Sequence, residues 1–377
     1  MTQKPGRPES EWSGRMKRIA VLGDTLAGGK IYGIQRFAFE LLRQLDRMDL
    51  GGMEIELVIP EYAAAAEMLS DFQQIRVVRS GRIRNAFLWR QICFPLYALR
   101  RRAFALDLTL GLPVLKCDIT GLYDCTYELF PEDFRSVREK LKRLSYLAKA
   151  YLVTRRSRKL IVLSRTAGRQ LQDYYRIPVG KLMLVPCAWQ HFKRIREDES
   201  VLERFGLISR DRGQIREYFF TLGSVLPHKN LKWIAEAAKQ NPDRLFVVTG
   251  SLELSDYIGS TGLLELENVT VTGYLTDGQV KALMKHAAAC IHPSLSEGFG
   301  IPPLEALSAG SRILLSDAGC LPEIYGGSAV YFDPRIYRPI RMEELMRREA
   351  SPAEDVLKKY SWKRSAVRLK KILEEVR

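Results

Sequence analysis

The stretch HPSLSEGFGIPPLEALSAG, His292 to Gly310, gathers residues able to do chemistry. Gly298 and Gly300 let a backbone approach a ligand closely. Pro302 and Pro303 suit the first turn of a helix, where a missing N–H costs nothing, and Gly310 suits its C′ position. The start of such a helix offers free amides and a positive dipole end to an anion. Two carboxylates flank it: Glu297 ahead of the glycines, and Glu305, expected within the first turn, where the helix dipole would keep it ionised. Each could accept hydrogen bonds from hydroxyls. Phosphates in the middle and hydroxyls at both ends describe a nucleotide-diphosphate sugar. Taken alone, such a pair is more often a helix-dipole partner and a loop charge.

Placing these residues on one ligand requires a strand that ends near Leu295. AACIHPSL supplies it, within a longer alternation of strands and helices. RIAVLGD (Arg18 to Asp24) is an apolar strand, followed by the loop TLAGGKIYG and a helix from about Gly33. That helix carries Ile34, Phe37, Ala38, Leu41, Leu42, Leu45 and Met48 at spacings of three and four. EIELVIP, IRVVRS, DLTLG, DITGLYD and KLIVLS continue as short strands. From Trp189 to Glu217 the rhythm lapses into dense charge. It resumes with YFFTLGS, a helix after Asn230, RLFVVTGS, VTVTGYL, a helix from Asp277 capped by Thr276 and Gln279, and RILLSD after the Pro302 helix. Such alternation implies doubly wound parallel sheets. A chain of 377 residues accommodates two of them, with a ligand cleft between.

Composition narrows the class. Six cysteines are scattered without C-x-x-C pairs or clustered histidines, so neither a disulfide framework nor a zinc site is expected, and a reducing compartment fits. The polar opening, residues 1–17, reads as a disordered tail without a secretory signal. The most apolar run, AFLWRQICFPLYALRRRAFAL, is broken by Arg90 and by Arg100 to Arg102, so no spanning helix is expected. The net charge of +15 is uneven: seven arginines and no acid between Arg79 and Arg102, twelve basic residues against Glu139 between Arg135 and Arg169. That implies an anionic partner: nucleic acid, lipid headgroups or a phosphorylated substrate.

The segment from Gly273 to Pro334, with E-G-F-G-x-P-x-x-E-A, L-P-E and F-D-P in order, resembles the C-terminal signature of the retaining glycosyltransferases of family 4. The resemblance extends to FTLGSVLPHKNL, GGKIYGIQRFAFELLRQL, SRKLIVLSRTAGRQLQDYYRIPVGKLMLVP and the closing YSWKRSAVRL. It implies an α/β chain of GT-B fold, two Rossmann-like parallel-sheet domains facing across a cleft. The expected division is an acceptor-side domain over 18–196, a linker over 197–216, a donor-binding domain over 217–355, and a helix over 356–377 crossing back to the first domain. Matched by motif, Glu297 would hydrogen-bond the donor sugar, and Gly298, Phe299, Gly300 and Ile301 would contact the sugar and distal phosphate. Glu305 would bind the ribose. Lys229, in the loop with Gly223 and Ser224, would neutralise the charge growing on the leaving diphosphate. Gly28, Gly29 or Gly33 would close over the phosphates. Gly273, Tyr274 and Leu275 would border the base. Two departures stand out: Ser224 occupies a position often held by arginine, and Tyr123 with Asp124 replaces a frequent His-Asp pair. Asp124 joins Glu297 and Lys229 as a catalytic candidate. Neither metal nor cofactor is implied.

The basic segment Arg135 to Arg158 is expected to form a helix packed on its sheet through Leu141, Leu144, Leu147, Ala148, Tyr151 and Leu152. Arg138, Lys142, Lys149 and Arg156 would line its flank. This is either a solvated basic face or a contact with anionic lipid. The resemblance favours transfer of a hexose or deoxyhexose, with mannose or rhamnose foremost, to a lipid-pyrophosphate-linked or growing surface glycan. That places the chain in the cytoplasm, peripheral on the inner face of the cytoplasmic membrane. A catalytically impaired relative serving as a binding subunit is an alternative, motivated by Tyr123 and Ser224. A nucleic-acid-binding protein lacks any recognisable motif, and a dinucleotide oxidoreductase lacks G-x-G-x-x-G after the first strand.

Overall fold

The computed structural model describes residues 16–28, 33–64, 66–209, 213–222, 226–250 and 260–376. The expected tail lies, up to residue 15, outside the described residues. Seven strands, β1 (Arg18–Leu22), β2 (Glu54–Ile59), β3 (Arg76–Arg79), β4 (Phe104–Asp107), β5 (Ile119–Gly121), β6 (Lys159–Val162) and β7 (Leu182–Leu184), form a first sheet in the order β3-β2-β1-β4-β5-β6-β7. Six more, β8 (Tyr218–Leu222), β9 (Leu245–Thr249), β10 (Val269–Val271), β11 (Ala289–His292), β12 (Ile313–Ser316) and β13 (Val330–Phe332), form a second in the order β10-β9-β8-β11-β12-β13. The registered strand pairs are parallel, as at Cys290 opposite both Phe220 and Ile313. These are the two Rossmann-like sheets that the strand-helix alternation implies.

The chain gathers into two compact units, residues 1–120 with 156–158, and residues 121–155 with 159–377. In the first, Trp89, Phe94 and Ala98 pack with Ala20, Leu22, Val58 and Ala105 in one apolar cluster. The helix Gly33–Leu45 buries Phe37, Ala38, Leu41, Leu42 and Leu45, the stripe read from its spacing. In the second, Trp233 stacks on Phe332 at 4.0 Å within a cluster that includes Phe219, Phe246, Ile291 and Leu314. The strand β11 is buried throughout, which is why it reads as a nearly continuous apolar run.

Several expected elements differ in extent. DLTLG is not a strand: β4 ends at Asp107, whose carboxylate accepts from the amides of Thr109 (2.8 Å) and Leu112 (2.7 Å) and turns the chain there. AACIHPSL ends at His292 rather than near Leu295, because Pro293 has no N–H to continue the ladder. The charged stretch after Trp189 contains two short helices, Gln190–Lys193 and Ser200–Arg204, too brief to show a period.

The basic helix forms over Val137–Arg156 but does not pack as expected. Leu141 and Leu144 are 61% and 63% exposed, and Tyr151 and Leu152 are exposed as well. The inward side carries Arg143, Tyr146, Ala150 and Val153. Arg143 Nε donates to the Tyr127 carbonyl at 2.6 Å, and the Tyr146 ring stacks on Tyr127 at 4.0 Å. A hydrogen bond and an aromatic stack have taken the place that leucine periodicity suggested. No described helix is long and apolar enough to cross a membrane.

Candidate active site

The order of the second sheet reverses between β8 and β11, and at such a switch point the loops leaving the two strands part and open a crevice. Both loops that matter leave the sheet there. The one after β8 ends in the turn Pro227–Lys229, followed by Asn230 in the left-handed region at φ 58°. Side chain and backbone fix this turn. Asn230 Nδ2 donates to the carbonyls of Pro293 (3.2 Å) and Pro334 (2.9 Å), and the Leu295 amide donates to the His228 carbonyl at 2.8 Å. His228 donates through Nδ1 to Asp133 Oδ2 at 3.0 Å. Burial, and then the charge of Lys229, hold the imidazole below its ordinary pKa against the pull of Asp133.

Lys229 is thereby aimed at the loop after β11. Its Nζ donates to Glu297 Oε1 at 2.7 Å, and His292 Nε2 meets the same oxygen at 2.6 Å. Ser294 Oγ lies 3.2 Å from that imidazole nitrogen. Among the described residues Glu297 Oε2 has no protein partner, which leaves an acceptor oxygen for a ligand hydroxyl. Burial pushes the Glu297 carboxyl up, but Lys229 and His292 together outweigh it and hold the group well below the usual carboxylate range. The acid is therefore an anion locked to a cation, able to accept hydrogen bonds but not to donate one.

Gly298 and Gly300 are required by close approach. A Cβ on Gly298 would lie 2.2 Å from the carbonyl oxygen of Tyr123 and 3.5 Å from the Asp124 Cβ, so the loop after β5 that carries Asp124 abuts the glutamate loop. Asp124 accepts from the Thr126 amide at 2.9 Å. Gly300 stands at φ 79° as the N-cap of the helix Ile301–Ser308, and its carbonyl accepts from the Tyr325 hydroxyl. Phe299 is buried edge-on against Tyr360, at 5.1 Å between ring centroids, so its side chain serves the packing.

Glu305 is not in the first turn. The helix begins at Ile301 and carries no acid in its first turn, so Glu305 falls in the second, past the reach of the free amides. Its partner is instead His191, whose Nε2 lies 2.7 Å from Glu305 Oε1. Sequence reasoning missed His191, His292, His228 and Asp133. His191 reaches Glu305 across 114 residues and His228 reaches Asp133 across 95, gaps that no local period marks, whereas His292 stands at the end of β11, five residues before Glu297.

The remaining expected residues are placed as follows. Gly273 adopts φ 73°, Tyr274 is 70% exposed and Leu275 is buried. In the first unit, nothing among the described residues lies within 4 Å of where a Cβ on Gly28 would stand, and Gly33 begins its helix. Nearby, Arg90 donates to Asp24 at 2.5 Å. Gly29, Gly223 and Ser224 lie outside the described residues. The L-P-E glutamate, Glu323, accepts from the amides of Arg165 (2.8 Å) and Thr166 (2.7 Å) at the start of the helix Arg165–Tyr175.

The stretch holding Lys229, Glu297 and Glu305 is also the part of the chain that matches a family model, that of glycosyl transferases group 1, over residues 210–330. This chain carries a glycosyl transferases group 1 domain. Its curated relatives include the serotype-specific mannosyltransferase WbdA of Escherichia coli, 28% identical over 51% of this chain and 25% of that protein. They also include the O-antigen chain mannosyltransferase RfbU of Salmonella typhimurium, 21% identical over 59% of this chain and 58% of that protein. The matched part thus spans from a quarter to just over half the length of these relatives. Among solved structures, sucrose-phosphate synthase from Thermosynechococcus elongatus aligns over 95% of this chain and 98% of its own, with a TM-score of 0.69 at 14% identity. WaaG, a glycosyltransferase involved in lipopolysaccharide biosynthesis, covers 95% of each chain with a TM-score of 0.57 at 15% identity. These likenesses carry the fold, GT-B, with the group 1 domain built on its second parallel sheet.

Proposed function

We propose that the protein is a retaining glycosyltransferase that moves a hexose or deoxyhexose, mannose first and rhamnose next, from a nucleotide-diphosphate sugar. The acceptor is a lipid-linked or growing surface polysaccharide. The observation that carries this reading is the 2.7 Å pair of Lys229 and Glu297 at the sheet's switch point, beside the start of the helix that holds Glu305. Lys229 is the cation for the diphosphate, and it offsets the charge that grows there as the glycosidic bond to phosphate breaks. Glu297 offers Oε2 to a sugar hydroxyl while Oε1 stays with Lys229 and His292. Glu305 takes the ribose hydroxyls. Asp124, next to Gly298, is the third catalytic candidate, and the departing phosphate accepts the acceptor's proton. Cations and amides do the work of charge neutralisation without a metal.

The helix Val137–Arg156 suits an acceptor held at a membrane. Its outward leucines, with Arg138 and Lys142 beside them, match the apolar interior and anionic headgroups of a cytoplasmic leaflet, at about 1 kcal/mol per basic residue near the surface. The test is a thermal-shift screen against GDP-, UDP-, dTDP- and ADP-sugars. A donor at 100 times its Kd should stabilise the fold by about 2.7 kcal/mol, so one nucleotide should stand apart from the others. No shift with any of them would refute the donor site. A shift without sugar transfer to any lipid-linked glycan would point to a catalytically impaired binding subunit.

A further inference from the structure

We infer that the C-terminal helix sets the hydrogen-bonding state of Glu305 through His191, making Trp362 and His191 positioning residues for the ribose carboxylate. This rests on the assignment of Glu305 to the ribose.

Trp362 opens the helix Trp362–Glu375 and is 1% exposed. Its indole Nε1–H lies 3.1 Å from His191 Nδ1. An indole nitrogen only donates, so Nδ1 must present its lone pair. The imidazole proton then resides on Nε2, which faces Glu305 Oε1 at 2.7 Å. The opposite tautomer would set two N–H groups against each other on the tryptophan side and two lone pairs against each other on the glutamate side. The indole therefore selects the one form of His191 that holds the carboxylate by a single oxygen and leaves the other to a ligand.

The segment bearing His191 is sewn to the helix start, so the indole cannot drift. Gln190 Oε1 accepts from the Trp362 amide at 3.1 Å, and Gln190 Nε2 donates to the Tyr360 carbonyl at 2.9 Å. Trp189 Nε1 donates to the Leu357 carbonyl at 3.0 Å, and Ser365 Oγ to the Pro186 carbonyl at 2.7 Å. Four bonds thus tie residues 186–190 to residues 357–365. Their effect is to register one ring against one acid.

Two measurements test this. The first is a long-range 1H–15N spectrum of protein labelled at its four histidines, with the His191 signals assigned through His191→Gln. We expect an Nε2–H ring with an unprotonated Nδ1, and loss of that single tautomer in Trp362→Phe. An Nδ1–H ring in the unaltered protein would overturn the inference. The second is calorimetric binding of GDP, UDP and ADP, each against its 2′,3′-dideoxy counterpart. The nucleotide that binds should be favoured over its dideoxy form by about tenfold or more, as expected for a hydrogen bond to a charged group. His191→Phe and Trp362→Phe should erase most of that ratio, whereas His191→Gln, whose amide can still donate, should keep it. If Glu305→Gln leaves the ratio intact, or none of the three binds, the ribose assignment itself fails. If Glu305→Gln erases it while both phenylalanine variants preserve it, only the relay fails.

Discussion

Replacing either member of the Lys229–Glu297 pair should have unequal effects on stability and equal effects on transfer. The Glu297 side chain is 11% exposed and that of Lys229 22%. Lys229→Met removes a charged hydrogen bond and leaves a carboxylate with His292 as its remaining partner, out of reach of most water. Such a loss costs about 2–3 kcal/mol, or a fall in Tm of about 4–12 °C. Glu297→Gln preserves the shape, and its amide oxygen still accepts from Lys229 and His292, so it should cost about 0.5–1 kcal/mol. In the double variant the methionine no longer strands a charge, and the coupling between the sites should come to about 1–2 kcal/mol. Both single variants should lose about a hundredfold or more in kcat, since each removes a group matched to the transition state. The pH dependence follows from the carboxyl's depressed pKa. That depression stabilises the fold above the ordinary value of 4.5 and is lost as pH falls below it, so Glu297→Gln should show a flatter acid limb. Urea and thermal unfolding of the four proteins between pH 3 and 8 (roughly the range over which acids and histidine titrate) read all of this. A Glu297→Gln variant as unstable as Lys229→Met, or strict additivity in the double variant, would refute the locked pair.

Gly298→Ala should lose about 1–3 kcal/mol in urea unfolding, because its Cβ meets the Tyr123 carbonyl oxygen at 2.2 Å. Gly28→Ala, with no described residue within 4 Å of the added methyl, should be neutral or better by up to about 1 kcal/mol. His228, with its pKa lowered in the fold, contributes stability above its ordinary 6.5 that disappears as pH drops through the folded value. His228→Asn should flatten the stability profile below pH 6.5, and an unchanged slope there would assign that limb to other groups. Substituting Leu141 and Leu144 by serine should leave Tm unchanged, both being exposed, while weakening sedimentation with phosphatidylglycerol vesicles. Charge reversal of Arg138, Lys142 and Lys149 should weaken it further, and vesicle binding indifferent to both changes would remove the membrane reading.

Much of the architecture was legible because it is periodic. The parallel sheets, the helix from Gly33 and the capping box at Thr276 with Gln279 all follow from spacings within a dozen residues. The glycine–proline loop before Ile301 was legible for the same reason, since turn chemistry is local. Glu305 was misplaced by one turn because the proline pair marks where a helix starts without fixing how far an acid lies from its free amides. The basic helix misled more thoroughly. Its leucines have the spacing of a buried face, yet Tyr127 offered a carbonyl to Arg143 and a ring to Tyr146, and those partners lie outside any helical period. His191 was invisible beside Glu305 for a stronger reason: a polar contact between segments 114 residues apart leaves no trace in either one. His292 lies only five residues before Glu297, but the turn that folds it back onto the carboxylate has no period to read.

Glu323 and the helix it caps lie 158 residues apart in the chain. A ribosome emitting this polypeptide will therefore expose the start of Arg165–Tyr175 long before the carboxylate meant for it has been made. Loop closure over such a span is entropically costly and slow, so that helix should acquire its final protection from hydrogen exchange only late in assembly, together with the turn holding Glu323. Pulse-labelled exchange during refolding should find the amides of Arg165 and Thr166 among the last to be shielded, well after those of β8 and β11.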